Sequence, residues 1–375
     1  MAKPISFGEL DFKIVASMDH TREEPDPLTP FRILILGDFR GRGNRGVLED
    51  RQQAVEWRMQ EVDRDNIDEV LARLRPEIRL SIPGTDLSHI SIRFRELDDF
   101  HPDHMYDRLK VFVMDVSEDE VAADLTASDD LKSARLYKLL VEQAVEIPGA
   151  EPWALVAGNF TFDRTVAHAK LLGRLAKITQ AAGAPFIAAA HPHLLGCDSL
   201  HKTPDPANWN ADIEEADRQA WETLRAIPEA AYLGLSLPRF LLRLPYGSDT
   251  DPVERFEFEE MPDTSVHKHY LWGNPAFASA YLIGKAFSEY GWGLCPGIVQ
   301  DIGNLPLHVY KEQGETRIKP CAEGLLTEHA AEVILAKGVM PLLSFRDQDV
   351  IRPARFQSLA DPPTHLAGRW RKLHD

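Results

Sequence analysis

Residues 232–247 read Tyr-Leu-Gly-Leu-Ser-Leu-Pro-Arg-Phe-Leu-Leu-Arg-Leu-Pro-Tyr-Gly, and residues 270–276 read Tyr-Leu-Trp-Gly-Asn-Pro-Ala. The first stretch opens with an apolar strand at 232–237, and both stretches carry proline, glycine and aromatic residues in close order. Proline and glycine impose particular backbone shapes, and aromatic rings fill cores and interfaces. Neither stretch holds a group of side chains suited to chemistry. The pattern predicts an assembly component rather than an enzyme.

Strands and helices alternate on both sides of this segment. The pattern predicts strands at 31–36, 110–116, 152–158, 185–190 and 340–344, and helices at 67–74, 132–145, 165–182, 211–225, 275–290 and 331–337. Residues 77–82 and 89–94 alternate around Pro83-Gly84 and predict a β-hairpin. The acidic segment 118–129 is interpreted as a linker or a short helix. This alternation indicates an α/β fold with some α+β character, in which mixed sheets are flanked by helices.

Length and composition exclude several classes of protein. The chain has 375 residues, 44% of them hydrophobic, and a net charge of −17 with a pI near 5.3. Nucleic acid and anionic membranes are therefore poor partners for the surface as a whole. Three widely spaced cysteines (Cys197, Cys295 and Cys321) indicate neither a disulfide framework nor a thiolate zinc site. Because no signal peptide or spanning apolar run is present, we expect a cytoplasmic protein without membrane insertion.

The segment Gly41-Arg-Gly-Asn-Arg-Gly46 has the G-x-G-x-x-G spacing of a dinucleotide-binding loop and follows a strand. Residues 37–40 intervene between strand and motif, however, and the residues after Gly46 are polar where a dinucleotide fold packs a helix on its sheet. A flexible surface loop is therefore favoured over nucleotide binding. Arg40, Arg42 and Arg45 are interpreted as groups that pair with acidic partner surfaces.

The pair His191-Pro-His193 follows an apolar strand, with Cys197 and Asp198 nearby, so it could ligate a metal. The intervening proline favours a turn without metal. His267-Lys-His269 is interpreted as a solvated segment, and 254–260 as an edge strand with its glutamates facing water. We therefore expect no catalytic residue, cofactor or metal. An enzyme that binds nucleotide through 37–46 or metal through 191–193 remains the alternative from another class.

The motifs together resemble a known family. Arg239–Gly247 and Leu271–Ala276 look like the large subunit of the type VI secretion contractile sheath, TssC or VipB. Further matches are 148–152, 158–162 (a turn in the family's pattern), 184–190, 304–308 and 338–342, so that this resemblance covers about 110–358. Segments 37–39, 62–70 and 97–102 are similar to the small subunit, TssB or VipA. The chain therefore resembles a natural fusion of both subunits.

The resemblance divides the chain at 108/109. It implies a small-subunit-like domain at 1–108, a large-subunit-like core at 109–358 and a loose basic tail at 359–375. The family's linking arms are not recognised: the small subunit's helical extension after Phe100, the large subunit's long N-terminal segment and its region beyond 358. In the family these pieces carry strand exchange between protomers and the helix that the unfoldase ClpV grips.

The resemblance implies a structural, non-enzymatic component of a type VI-like contractile apparatus that assembles through protein–protein contacts. The expected partners are copies of itself or other sheath, baseplate or tube proteins, in a homo- or hetero-oligomer. An accessory, adaptor or cap protein that does not polymerise by strand exchange is the alternative. The candidate interface residues are Arg40, Arg42, Arg45, Arg239, Arg243, Tyr246, Trp272, Asn274 and Trp292.

Overall fold

A computed structural model describes residues 30–40, 42–45, 59–63, 65–80, 90–93, 109–147, 150–209, 212–247, 250, 252, 259–260, 267–312 and 314–370. The strands are β1 (Phe31–Gly37), β2 (Gln60–Val62), β3 (Glu77–Leu80), β4 (Ile90–Arg93), β5 (Leu109–Asp115), β6 (Trp153–Phe162), β7 (Phe186–Ala190), β8 (Leu233–Leu237), β9 (Phe240–Leu241), β10 (Trp272–Gly273), β11 (His308–Glu312), β12 (Glu315–Lys319), β13 (Val339–Ser344) and β14 (Ile351–Pro353). The helices are α1 (Arg42–Arg45), α2 (Ile67–Leu74), α3 (Glu118–Thr126), α4 (Arg135–Tyr137), α5 (Val166–Ala182), α6 (Glu215–Ala226), α7 (Pro275–Tyr290) and α8 (Glu328–Ala336).

The largest sheet has eight strands in the order β14-β13-β8-β7-β6-β1-β5-β2. Its central strands, from β13 to β5, run parallel, while β14 and β2 pair antiparallel at the two edges. Parallel sheets are normally covered on both faces, which explains why β1 reads as an almost continuous apolar run. The predicted α/β class with mixed sheet pairing is confirmed.

Alternate residues of β1 point into two different hydrophobic cores. Leu34 and Leu36 join the larger core, to which α3, α4, α5, α6 and α8 contribute. Phe31 and Ile33 join the second core, which contains the apolar face of α7 together with Trp292 and Trp370. Successive side chains of a strand point to opposite faces, so this sheet forms the middle of three layers.

Capping residues set the ends of the two longest helices. The Thr165 side chain accepts a hydrogen bond from the backbone N–H of His168 at the start of α5, and Gly183 ends that helix with φ 71°. Asn274 caps α7 through the N–H of Ala276, and Pro275 occupies its first position. The predicted helices at 165–182 and 275–290 are confirmed.

The single helix predicted over 132–145 is wrong. Residues 131–133 form a 3₁₀ turn, α4 follows, and residues 138–142 continue as a π-helical turn. The carboxylate of Asp124, near the end of α3, accepts hydrogen bonds from the backbone N–H groups of Arg135 and Leu136. This outside acceptor starts a new helix at α4, so the apolar pattern alone could not predict the break.

The tail predicted to be loose from residue 359 is folded against the core as far as Trp370. Leu366 and Trp370 are buried in the second core. The Arg369 guanidinium donates to the Ala182 carbonyl at the end of α5, with the shorter contact at 2.7 Å. Leu359 and Ala360 are buried as well. A few apolar side chains within a polar segment therefore hold it against the core, and overall composition hides them. Residues 371–375 lie outside the described residues.

The end of β6 and the β3–β4 pair bear on two predictions of local structure. The segment 158–162, a turn by resemblance, is instead the extended end of β6. The predicted hairpin is confirmed in its pairing, since β3 and β4 are antiparallel with Leu80 opposite Ile90, although Pro83-Gly84 lies outside the described residues. Residues 253–258, which include most of the predicted acidic edge strand, also lie outside them.

The division predicted at 108/109 crosses the large sheet. Strand β1 pairs with β5 from Phe31↔Leu109 to Gly37↔Asp115, and with β6 on its other side. A strand of the small-subunit-like part therefore lies between two strands of the large-subunit-like core.

Within the described part of the chain, no helix is both long enough and apolar enough to cross a bilayer.

Candidate functional site

Charged side chains collect at the carboxyl ends of the parallel strands. Asp38 follows β1, Asp115 ends β5, Asp163 follows β6, His191 follows β7, and Arg239 comes shortly after β8. In α/β sheets this edge is where ligands commonly bind, especially where the strand order reverses, as it does at β1. A ligand-binding or catalytic site in this fold is therefore most expected at this edge.

Arg42 is the centre of a charged cluster at the end of β1 and β5. It is 7% exposed. Its guanidinium donates to both carboxylate oxygens of Glu120 at 2.9 and 2.8 Å, and its Nε lies 3.3 Å from Asp115 Oδ2. Burial raises the pKa of Asp115, and the positive charges of Arg42 and Arg40 offset only part of that rise. Arg42 therefore compensates buried acidic groups of its own chain.

Arg40, a second arginine of the loop, also pairs with Asp115. The Arg40 Nε lies 3.3 Å from Asp115, and its backbone N–H donates to the same carboxylate at 3.2 Å. The Arg45 side chain lies outside the described residues. Arg40 and Arg42 are thus engaged within the chain, and the role of all three at an interface with an acidic partner stays a prediction.

The G-x-G-x-x-G segment is held by the chain's own carboxylate. Asp38 accepts hydrogen bonds from the backbone N–H groups of Arg42 at 2.9 Å and Gly43 at 2.7 Å. In a dinucleotide fold, amide groups at this position face a pyrophosphate. Residues 42–45 form the single helical turn of α1 with Arg42 buried, so the expectation of a flexible surface loop is wrong for this part.

A histidine that sequence reasoning did not single out joins α3 to α5. The Nδ1 atom of His168 lies 2.7 Å from Asp163 Oδ1, and its Nε2 lies 3.0 Å from Glu118 Oε1. The hydrogen bond to Glu118, together with the negative charge of Asp163, raises the pKa of His168 despite its partial burial. The charged form of His168 is therefore favoured, and its ring links Glu118 on α3 to Asp163 ahead of α5. The available sequence signal was the capping box of Ser117 and Glu120, which predicts α3 and places Glu118 in its first turn.

An acidic cleft of about 300 Å³ is lined in part by Asp163, the partner of His168. Its carboxylates are Asp163, Asp198, Asp212, Glu214 and Asp217. Asp217 accepts a hydrogen bond from the Val166 backbone N–H at 2.8 Å and so helps to start α5. Asp198 lies 3.2 Å from His193 Nε2. Several of these carboxylates therefore already serve the fold or pair with neighbouring groups.

The His191-Pro-His193 pair forms a turn. The Nδ1 atom of His191 accepts a hydrogen bond from the His193 backbone N–H at 3.2 Å and caps the short 3₁₀ turn over 192–195. Burial lowers the pKa of His191, as does the charge of His193. Among the described residues, no three His, Cys, Asp or Glu side chains are placed to hold one metal ion.

Two candidate arginines of the 232–247 stretch form forked ion pairs within the chain. Arg239 donates to Glu323 at 2.6 and 3.0 Å, and Arg243 donates to Glu260 at 2.6 and 2.9 Å. The Arg243 guanidinium also lies 4.1 Å from the centre of the Tyr246 ring. Because planar forks fix geometry as well as charge, these arginines hold the loops that follow β8 in place.

The remaining candidate interface residues also contact their own chain. The Trp272 Nε1 donates to the His267 carbonyl at 3.0 Å, and Asn274 caps α7 while its side-chain amide donates to the Phe160 carbonyl at 3.0 Å. Trp292 is 8% exposed and packs against Phe31. These residues shape the core, and their predicted role at an interface stays a prediction.

The interpretation of 267–269 as a solvated segment is wrong for His267. Its side chain is 14% exposed and contacts the rings of His201 and Trp272. Lys319 and Glu323 lie within 3.3 Å of its two ring nitrogens. These partners come from distant parts of the chain, so no local sequence pattern indicates the cluster.

Comparison with known proteins finds matches to two protein families along the chain. Residues 84–359 match the VipB family, described as EvpB/VC_A0108, tail sheath N-terminal domain. Residues 17–113 match the VipA family of the type VI secretion system, described as VipA, VC_A0107 or Hcp2. The two matches overlap at 84–113 and together cover both the β1 region and the core.

A curated sheath protein is similar to this chain in sequence. The chain is 31% identical over 298 residues to the type VI secretion system sheath protein TssC1 of Pseudomonas aeruginosa (strain PAO1), which covers 78% of this chain. The chain spans 60% of the length of that relative. With the VipB match extending over most of its residues and a VipA match preceding it, the chain belongs to the VipB family of tail sheath proteins and carries a VipA-like segment fused to it.

Proposed function

We propose that this chain is a structural, non-enzymatic component of a type VI secretion-like contractile apparatus, a fused sheath-subunit homologue that works in the cytoplasm. The observation that carries the proposal is the single sheet in which β1, within the VipA-matching residues, pairs with β5 and β6. One polypeptide thereby supplies a joined unit of both subunit types. Such a unit repeats through heterologous contacts that need not close into a ring.

The chemistry of the carboxyl edge supports a structural role. The groups that an enzyme would use there are engaged in internal pairs: Arg42 with Glu120, His168 with Asp163, and Arg239 with Glu323. The Asp38 carboxylate accepts hydrogen bonds from the backbone N–H groups that would otherwise be available to a phosphate. Calorimetric titration with ATP, NAD or Zn²⁺ tests the enzymatic alternative, and saturable binding abolished by Gly43→Val or His193→Ala would support it.

Electron microscopy with sedimentation velocity tests the proposed assembly. We expect the purified full chain, alone or mixed with the tube and sheath proteins of its own organism, to form tubes or helical arrays with a regular axial repeat. A chain that sediments as a monomer at every concentration, and in every mixture, would contradict the proposal.

An accessory or cap role is the second candidate. Strand β4 ends at Arg93 and β5 begins at Leu109, so only 15 residues stand where the family resemblance places a helical extension after Phe100. This short connection favours a protein that does not exchange strands in the family's way. Closed rings, or particles found only at the ends of tubes formed by other sheath proteins, would distinguish a cap from a sheath subunit.

A further inference from the structure

The imidazole of His168 lies where the start of α5 meets α3 and the end of β6. Its Nε2 lies 3.0 Å from Oε1 of Glu118, in the first turn of α3. Its Nδ1 lies 2.7 Å from the Asp163 Oδ1 atom and 3.0 Å from the Asp163 backbone nitrogen. One ring nitrogen therefore meets a single partner, whereas the other meets two.

The two partners of Nδ1 make opposite demands on it. A carboxylate oxygen only accepts a hydrogen bond, whereas a backbone N–H only donates one. Nδ1 satisfies the Asp163 carboxylate when it carries a proton, and it satisfies the Asp163 backbone N–H when it offers a lone pair. Because it cannot do both at once, the ring has two alternative hydrogen-bonded states.

The partner of Nε2 decides which neutral form the ring takes. The Glu118 carboxylate only accepts, so it needs a proton on Nε2 in either state. A neutral ring with its proton on Nε2 keeps Glu118 and also accepts from the Asp163 backbone N–H. A neutral ring with its proton on Nδ1 keeps the Asp163 carboxylate but turns a lone pair toward Glu118. The first tautomer therefore satisfies more partners.

We propose that His168 is a pH-sensitive switch that exchanges the Asp163 carboxylate for the Asp163 backbone N–H when it loses its proton, while Glu118 stays bound. In the neutral state two lone pairs would face each other across 2.7 Å, so the carboxylate must turn away from the ring. Asp163 also accepts from the Thr165 N–H at 3.0 Å and lines the acidic cleft. The switch therefore acts on the turn that precedes α5 and on the negative charge of the cleft.

Other charged and titratable groups face this pair from several elements. They are Glu118 on α3, Arg164 beside Asp163, Asp217 on α6 and His191 after β7. The hydrogen bond to Glu118 and the negative charge of Asp163 raise the pKa of His168, although partial burial opposes the charged form. The exchange therefore takes place as the pH rises above the ordinary histidine value of about 6.5, and not below it.

Nitrogen-15 NMR of the full chain, with labelled histidine, tests the switch between about pH 6 and pH 9. The signals of His168 are assigned by their loss in His168→Gln. We expect both ring nitrogens to carry a proton at the lower pH, and only Nε2 to carry one at the higher pH. A neutral ring with its proton on Nδ1 would overturn the proposal, since the ring would then have kept the Asp163 carboxylate and released Glu118.

Two matched substitutions measure the contribution of Asp163. Asp163→Asn removes the charge but keeps an oxygen that can accept from the Thr165 N–H, so the titration midpoint of His168 should shift down toward its ordinary value. Asp198→Asn removes the same charge from an exposed carboxylate of the same cleft and should leave that midpoint nearly unchanged. Equal midpoints in the wild type and in Asp163→Asn would contradict the switch.

The wild-type ring decides the question by itself if Asp163→Asn does not fold. In a purely structural pairing, His168 would hold both carboxylates until the fold is lost. The ring would then stay doubly protonated up to the pH at which circular dichroism reports unfolding, and the proposal would be wrong. A ring that loses its Nδ1 proton while the chain remains folded is the result we expect.

Discussion

The guanidinium of Arg42 donates in parallel to both carboxylate oxygens of Glu120, a residue 78 positions further along the chain. Arg42 lies in the segment that matches the VipA family, and Glu120 lies in the segment that matches only the VipB family. Glu120 also closes the capping box of α3 with Ser117. The ion pair therefore ties the two family segments together at the start of the first helix of the core.

Replacing Arg42 with alanine should lower the free energy of unfolding by about 3 kcal/mol, because Asp115 stays buried without its main counter-charge. Urea unfolding monitored by circular dichroism measures the change. The control is Arg73→Ala, which breaks an exposed pair with Glu69 on α2 and should cost about 0.5 kcal/mol or less. Equal costs for the two variants would show that the buried cluster is not structural.

The pairing of His168 with Asp163 and Glu118 should make the stability of the fold depend on pH above neutrality. Because its folded pKa is raised, its contribution is complete below the unfolded pKa of about 6.5 and is lost as the pH rises through the folded value. The melting temperature of the wild type should therefore exceed that of His168→Gln most at pH 6 and least at pH 9. A difference that stays constant over this range would rule out this charged pairing.

Gly158 in β6 should not tolerate a side chain. A Cβ atom there would lie 2.8 Å from the ring of Phe186, which is fully buried and cannot give way. Gly158→Ala should therefore lower the free energy of unfolding by about 1–3 kcal/mol through overpacking. Gly293→Ala, where a Cβ would meet no atom within 4 Å, is the matched control, and chemical denaturation should find it near neutral.

Trp370 should behave as a core residue although it lies near the end of the chain. Its side chain is 6% exposed within the second core, so Trp370→Ala should cost about 3–5 kcal/mol by leaving a cavity. His365→Ala, an exposed neighbour, should change the thermal midpoint little. If the two substitutions have the same small effect, the segment after 359 does not belong to the core.

Local patterns predicted the elements whose signals are complete within a few residues. The buried strand at 31–36 and the helix between Thr165 and Gly183 are examples, because apolar periodicity and capping residues are both local. The break at 131–142 was missed because the carboxylate of Asp124, from a preceding helix, supplies the new start. The burial within 359–370 was missed because a few anchoring side chains do not alter the overall composition of the segment.

The contacts of the candidate site could be predicted only in part for the same reason, since they join residues that are distant in the sequence. Sequence reasoning identified Arg42, Arg239 and Arg243 as charged residues of interest, but the partners of Arg42 and Arg239 lie 78 and 84 positions away. The His267 cluster combines residues from three distant segments. Which distant charges meet is decided by the order of strands in the sheet, and no spacing within the sequence records that order.

The position of β1 between β5 and β6 also bears on how the protein is made. The ribosome releases β1 long before either neighbour, since Phe31 pairs with Leu109 and Arg32 pairs with Trp153. On separate polypeptides, the insertion of this strand would be a bimolecular step that depends on how much of each subunit the cell contains. In a single polypeptide the step is intramolecular, so its rate is independent of expression level and the two parts are always produced in equal number.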